Sequence, residues 1–561
     1  MIRYNSQKQL TLEGFETPFE MNLDPSNRWV KYANELPWDD LVKVYCRKMS
    51  SNMGAGAKDP RVVIGALFIK HIMKLSDEDT IDTIKENIYM QYFLGLSGYT
   101  YKKVFDPTLF VHIRKRLGIK EFNEFTALLE EIAEQRRKQA AIRQAAQGNE
   151  DKSKSDDAQG KPKGSTPSKS KTASKNADCQ TKKTAPADQR EDCVKLDEDG
   201  RKHKGDILLD ATACVADIKY PTDLDLLNDS REKAEELIDK ICERTKTEKP
   251  RTYRNVARKE YLETIKRKNL GKKKRNKAIK KQIQYLERDI KHINNLLDNC
   301  STEIKVLDRS ERKYFYVIQT VLYQQKEMLK NNTHSIEERI LSIHQPHVRA
   351  IPRGKSRSKT EFGSKIDLSM HDGYGYIERF HWGAFNEGED LQASIYNYYM
   401  RYGYYPARVF IDKIYATKPN LEFLRSMHIQ FIGLPLGKAK AEYIKAQKEL
   451  LKGLGIRNEV EGRFGLDKRK YGMDLIKART DITSESWIGA SNFIANFMNF
   501  IAEVLFALIR KWLRMAQNLF CGPFMPPELV MMPTSRLANL QVAEGSPCTS
   551  CGITRNVRLF Q

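Results

Sequence analysis

The sequence predicts an α/β protein: a mixed sheet with flanking helices, a large helical insertion after the first strand, and an all-α domain ahead of the sheet. Three observations carry this. Short apolar, β-branched runs begin at Gly205 and Pro406, and each contains an Asp. Alternating apolar residues around Asp372-Gly373 form a hairpin signal between them. A basic helical stretch with a heptad seam separates the first run from the hairpin.

At 561 residues the chain is long enough for two or three domains with real cores. Hydrophobic residues are 40% and charged residues 30%, the balance of a mostly globular protein. The net charge of +23 favours a polyanionic partner, but a purely structural nucleic-acid binder would share it, so charge names no activity. Nine scattered cysteines follow no disulfide framework, which points to a reducing compartment. Cys548-Thr-Ser-Cys551 is half of a zinc motif, with no second pair after it and no His nearby. The first residues lack an apolar signal core. The most apolar segment, Ile488 to Trp512, carries Asn492, Asn496, Asn499, Glu503 and Arg510 at spacings of four, three, four and seven. Such a polar stripe marks a core helix packed on a sheet and not a membrane span. A cytoplasmic protein with no membrane partner is expected.

Taken in order, residues 1–142 are expected to form a helical N-terminal domain after a loose lead-in over 1–35. Val62, Val63, Ala66, Leu67, Ile69 and Lys70 open one helical run. Asp77 to Leu94 gives a second, with Ser76 as N-cap. A third opens at Asp106-Pro-Thr and ends on Arg114, Lys115 and Arg116. Short helices ending in a basic cluster suit a helix-turn-helix, so this region is expected to bind DNA. Residues 143–204 lose all aromatic character, since none occurs between Phe125 and Tyr220. They cannot bury enough apolar surface to offset ordering entropy, and a disordered linker is expected.

Residues 205–224 hold the first strand, with Asp210 inside an apolar run. A charge there is unusual unless it is paired, metal-bound or satisfied at a bulge. Residues 225–345 form the basic insertion. Between Glu243 and Lys281 seventeen Lys or Arg face four Glu, densest at Lys272, Lys273, Lys274 and Arg275, a run suited to a phosphate backbone. Ile279, Ile283, Leu286, Ile290, Ile293 and Leu297 then make a heptad seam, expected to pack in an antiparallel pair completed by 303–342. Residues 346–520 complete the core: the hairpin, a helix from Asp390 to Tyr402, a strand with Asp412, a helix over 417–427, a strand from Ile429, and a basic helix from Lys438 to Leu451. A last polar helix precedes the apolar one, and 521–561 is a tail.

That polar helix contains Arg457, Glu461 and Lys468, at offsets of four and seven, which share one helical face. Asp210, Asp412 and Glu461 come from distant parts of the chain, as convergent metal ligands do. Hard cations such as Mg²⁺ take carboxylate oxygens, and a pair of them activates an attacking oxygen and stabilises the leaving one in an in-line displacement.

These segments resemble the DDE transposases of bacterial insertion sequences, in the group with a Tyr-Arg-Glu-Lys signature. The match lies in Leu-Leu-Asp210-Ala-Thr, Phe-Ile-Asp412-Lys-Ile-Tyr, the Arg457, Glu461 and Lys468 spacing, and Asp59-Pro-Arg through Arg116. The signature's Tyr falls at position 454, which is Leu here. Glu459 is the rival third carboxylate, and the Arg and Lys offsets single out Glu461. The resemblance implies a ribonuclease H-like core using Mg²⁺ or Mn²⁺ on Asp210, Asp412 and Glu461, with Arg457 and Lys468 on phosphate. It implies cleavage at the element's ends and joining of a 3′-hydroxyl to target DNA. Double-stranded DNA, as terminal inverted repeats and target, is then the partner, with a homodimer in the complex, in the bacterial cytoplasm at the nucleoid. The alternatives are an inactive copy or DNA-binding repressor of the element, or a metal-dependent nuclease without strand transfer.

Overall fold

The computed structural model describes residues 4, 23–49, 56–155, 194–267, 269–300, 306–352, 360–433 and 454–520. Most of the linker, the helix expected at Lys438–Leu451, and the tail with Cys548 and Cys551 lie outside them. The chain divides into two compact units, Met1–Met498 and Asn499–Gln561.

The first unit opens with helices. These are α1 (Arg28–Glu35), α2 (Trp38–Cys46), α3 (Pro60–Met73), α4 (Asp77–Glu86), α5 (Ile88–Phe93), α6 (Leu109–Arg116) and α7 (Ile119–Ser155). The lead-in is thus helical from Arg28, capped by Asn27 and anchored by buried Trp29 and Tyr32. Asp59 caps α3 and Pro60 occupies its first turn. Ser76 caps α4 through its hydroxyl. The run expected from Asp77 to Leu94 breaks at Asn87, whose carboxamide accepts the Met90 N–H and restarts the helix. Helix α7 continues to Ser155, past the expected linker boundary.

Beyond it, β1 (Lys195–Leu196) and β2 (Lys202–His203) pair antiparallel inside the segment expected to be disordered. Then come β3 (Asp206–Val215), α8 (Asp223–Thr245), α9 (Arg254–Ile265), α10 (Lys272–Asp298) and α11 (Arg309–Lys330). The core resumes with β4 (Arg349–Pro352), β5 (Thr360–His371), β6 (Tyr374–His381), a short 3₁₀ turn at Glu387–Glu389, α12 (Leu391–Tyr402), β7 (Arg408–Phe410), α13 (Lys418–Ser426) and β8 (Gln430–Ile432). Helices α14 (Leu454–Tyr471) and α15 (Asp481–Phe520) close the order.

The sheet is mixed. Strand β5 pairs antiparallel with β3, β4 and β6, while β3, β7 and β8 run parallel. Asp372 and Gly373 both take positive φ, +48° and +83°, the turn that matches strand twist in a two-residue hairpin. One side of the sheet packs Leu208, Ile366, Leu368 and Phe410 against Ile456, Val460 and Phe464 of α14. The other packs Ile207, Leu209 and Val409 against Leu391, Ile395 and Leu424 of α12 and α13. Strand alternation produces both faces.

The N-terminal helices are built onto this core. Phe493 lies 4.9 Å from Phe68 and 5.5 Å from Phe125, ring centre to ring centre, and Phe497 lies 5.3 Å from Tyr32. Asn123 donates to the Ile377 carbonyl at 2.9 Å, and Tyr376 and Tyr402 both donate to buried Glu130. Helix α3 is therefore buried on all sides, not amphipathic as its pattern suggested. Helix α15 is long and apolar enough to cross a membrane by length and composition, but from Ile488 to Phe497 it is buried in the first unit, as its polar stripe requires.

In the insertion, Ile279, Ile283, Leu286, Ile290 and Ile293 are buried, as the heptad spacing predicts. Their partners are two helices, not one. Leu227, Ala234, Leu237, Ile238 and Ile241 of α8 supply a second apolar stripe, and Ile318 and Leu322 come from α11. Within this core Asp289 is fully buried, and neither of its carboxylate oxygens has a hydrogen-bond partner. Burial, aided by the nearby Glu235 charge, pushes its carboxyl up to about 8 against the pull of Arg231, Arg288 and Arg254. The unfolded chain ionises this group near 4, so its contribution to stability falls as pH rises through the window from about 4 to 8. Asp289→Asn is expected to stabilise the protein by ~2 kcal/mol or more at pH 8 and by little at pH 4. Urea titrations at both pH values check this, and an equal effect at both would refute it.

Candidate active site

Asp210 sits at the middle of β3, between β5 and β7. The β3–β7 register pairs Asp206 with Arg408 and Leu208 with Phe410. Carried two residues further, it brings Asp210 level with Asp412, just past the carboxyl end of β7. The loop after that strand is held from beneath. Tyr415 donates to Asp367 Oδ1 of β5 at 2.7 Å, and Asn420 Nδ2 donates to the Tyr415 and Gly388 carbonyls at 2.9 and 2.6 Å. Asp412 is left reachable, with its side chain 36% exposed.

Helix α14 brings the third carboxylate. Ile456, Val460 and Phe464 step by four along its buried face, so Arg457 and Glu461 lie side by side at the edge of that face. Arg457 Nη2 stands 3.4 Å from Asp412 Oδ2 and 3.8 Å from Glu461 Oε1. One guanidinium thus bridges the second and third carboxylates. Lys468, two turns further on, donates from Nζ to Thr212 Oγ1 at 2.9 Å. Thr212 is two residues past Asp210, on the same face of β3.

Electrostatics ties Asp210 to this group. Burial pushes its carboxyl up to about 6, and the charges of Glu387 and Asp412 push the same way. The Ala211 N–H, 2.8 Å from Oδ1, and the Arg457 guanidinium oppose them. A half-buried carboxylate crowded by like charges favours a cation. All donors are carboxylate oxygens, so the set fits a hard divalent ion better than a soft one. Among the described residues a different group, Asp197, Asp199 and His428, brings its ligand atoms within 4.8 Å of one another. It lies at the β1–β2 turn, where Arg201 and His203 already pair with Asp197.

Of the residues read from sequence, Arg457 therefore stands beside Asp412 and Glu461, its charge reaches Asp210, and Lys468 stands against β3 at Thr212. Arg114 is a correction. It is buried, with Nη1 and Nη2 on the two oxygens of Asp77 at 2.9 and 2.7 Å, so its charge is spent inside the fold and does not reach a phosphate. Its position on the inner side of α6, against α4, is the physical reason. Lys115 is exposed, and Arg116 donates to the Tyr45 hydroxyl. Arg114→Gln is expected to cost ~2 kcal/mol in stability with no selective loss of DNA affinity. Thermal unfolding beside a DNA titration checks this, and the reverse pattern would restore Arg114 to the interface.

Sequence reasoning missed four contributors: Glu387, Thr212, the Tyr415–Asp367 pair and Arg463. Asp367 is buried and pushed up to about 8, mainly by burial. Only Arg463 left a readable trace. It stands four residues before Asp467, and the pair is set in the apolar stripe of Val460 and Phe464.

Comparison with known proteins adds to this geometry. A family model described as Transposase domain (DUF772) matches residues 18–116, and one described as Transposase DDE domain matches 409–498. The second match spans Asp412, Arg457, Glu461 and Lys468. Asp210 lies outside both. An uncharacterized protein, ORF8 in the nfe locus of Rhizobium meliloti, is 27% identical over 107 residues, 18% of this chain and 50% of that protein. The chain thus spans about half the length of the curated relative it matches. No solved structure matches it.

Proposed function

This chain belongs to the DDE transposases of insertion sequences, and from that premise we propose that it cuts DNA at the ends of its element and joins the freed 3′-hydroxyls to target DNA. The observation that carries this reading is the Arg457 bridge between Asp412 and Glu461 beside a charge-crowded Asp210. Strands β6, β5 and β3 run antiparallel and β3, β7 and β8 parallel, with the first Asp on the central strand, which supports a ribonuclease H-like core.

Asp210, Asp412 and Glu461 would hold Mg²⁺, or Mn²⁺ in its place. When bound, the ions supply an activated attacking oxygen and a stabilised leaving oxygen for in-line phosphoryl transfer. The chain's own groups do the positioning. Arg457 offers a planar fork that suits a phosphate as well as a carboxylate. Lys468, steadied by Thr212, adds a second positive group two turns along α14. Tyr415 and Asp367 keep the Asp412 loop against β5. Lys115, Arg116 and the run Lys272, Lys273, Lys274 and Arg275 meet the DNA backbone outside the carboxylate site. The N-terminal helices and the insertion serve as DNA-binding parts around the core, a homodimer pairs the two element ends, and the work is done on chromosomal DNA in the cytoplasm.

The test is incubation of the purified full chain with duplexes carrying the DNA that flanks its gene, plus a target duplex and Mg²⁺. Nicks at the element ends and joined products are expected. Binding without nicks would favour a repressor or inactive copy, and nicks without joined products a nuclease.

A further inference from the structure

Between Glu263 and Glu287 the chain has no acidic residue and ten Lys or Arg. Most of these fall at the start of α10, where the placement opposes helix electrostatics. A helix N-terminus carries partial positive charge and unsatisfied N–H groups, so each cation there is unfavourable to the helix. Helix α10 begins Lys272-Lys-Lys-Arg275, with no acid in its first turn and no side-chain cap from Gly271. Lys272, Lys273, Lys274, Arg275, Lys277 and Lys280 are all exposed. Among the described residues no carboxylate lies within 4.0 Å of any of them, whereas three cations elsewhere in the insertion are paired: Lys281 with Glu260, Lys326 with Glu287, Arg254 with Asp239. The fold gains nothing from this concentration of like charge.

The patch also has shape. A groove of about 570 Å³ runs between α10 and α11, with Ile283 and the Lys326–Glu287 pair in its lining and Lys277, Lys280 and Lys330 along its walls. Lys273, Lys277 and Lys280 follow at i, i+4 and i+7, on one face, with rises of about 6 and 4.5 Å. A row of this kind suits a polyanion of regular charge, and duplex DNA presents one charge per about 1.7 Å of axis. The row offers ammonium groups, which hold phosphate as point charges, and contacts to phosphate position a duplex without reading its sequence.

We infer that the α10–α11 face of the insertion is a sequence-independent seat for a duplex DNA backbone, suited to target or flanking DNA. The inference rests on the transposase reading for the identity of the polyanion. It goes beyond it in assigning backbone-only recognition to elements that contribute nothing to the carboxylate site.

The test uses the full chain and its Lys273→Gln/Lys277→Gln/Lys280→Gln variant, with Lys→Arg at the same positions as the charge-preserving control. Anisotropy titrations on a random-sequence duplex and on an element-end duplex, between about 50 and 200 mM salt, give the slope of log K against log salt. The Gln variant is expected to lose about 3 from that slope on both duplexes, near 0.9 per phosphate contact, with thermal melting no lower than that of the wild type. The Arg control keeps the slope. An unchanged slope overturns the proposal, as does a loss confined to the element-end duplex or an Arg control that behaves like Gln. Weakened binding to polyglutamate with DNA binding intact would identify an acidic protein partner and overturn it too. If the wild-type chain nicks no element end but the slope change is seen, the transposase reading fails and this surface stands. If the chain nicks and joins but the slope does not change, the transposase reading stands and this surface fails.

Discussion

Asp210→Asn, Asp412→Asn and Glu461→Gln are each expected to lower metal-dependent strand cleavage by on the order of 10³-fold or more, because charge stabilisation by bound cations supplies several kcal/mol of the barrier reduction. DNA binding is expected to change little, since the cationic residues remain. Cleavage of labelled end duplexes measures the first and anisotropy the second. Any one of these variants retaining near wild-type cleavage would remove that residue from the site. Asp210→Asn carries a second signature. Its carboxyl is held at about 6, mainly by burial, against about 4 in the unfolded chain. Folding therefore becomes less favourable as pH rises through that window, and the cost persists above it. In metal-free buffer the Asn variant is expected to be more stable by about 1–3 kcal/mol at pH 7 and no more stable at pH 4. Activity lost while stability rises is what a functional carboxylate produces, and a merely structural Asp would show the opposite.

Arg463→Ala is expected to be the most destabilising single change in α14, at about 3–5 kcal/mol. Arg463 is buried. It donates from Nε to Asp467 Oδ1 at 2.9 Å and from Nη2 to Asn496 Oδ1 at 2.7 Å and to the Asn492 carbonyl at 2.8 Å. Asn492 and Asn496 both donate to the Gly375 carbonyl at 2.8 Å, and Asn496 accepts the Gly375 N–H. The network joins α14, α15 and the β5–β6 hairpin, so it sets the position in which α14 holds Arg457 beside Asp412 and Glu461. Without Arg463, Asp467 is left buried and unpaired, and burial already pushes its carboxyl up to about 6. Arg463→Ala/Asp467→Leu is expected to recover part of the loss, because removing both charges removes the desolvation cost of the survivor. Urea denaturation measures both. A single-variant loss under about 1 kcal/mol, or a double variant no better than the single, would show that the network does not hold the helix.

What the sequence alone determined about this protein is local and periodic. The Asp-Gly turn needs positive φ at two adjacent positions, so Asp372 and Gly373 were readable as a hairpin. The heptad of α10 and the offsets of Arg457, Glu461 and Lys468 were readable because helix geometry turns spacing into shared faces. Asp210 and Asp412 stood out as charges in apolar strands. The tertiary structure decided the rest, because it depends on what a residue meets from far along the chain. Whether a basic side chain is tied into the fold is set by its neighbour: Asp77 claims Arg114, while among the described residues no carboxylate claims Lys273. The seam of α10 needed α8 as well as α11, since a stripe shows that a partner exists and not which one. The N-terminal helices read as a separate domain, yet the far face of α15 has to be buried, and Phe68, Phe125 and Tyr32 bury it. The parallel register of β3 and β7 makes two distant aspartates level, and the packing of α14 on β3 brings Arg457 and Glu461 to them.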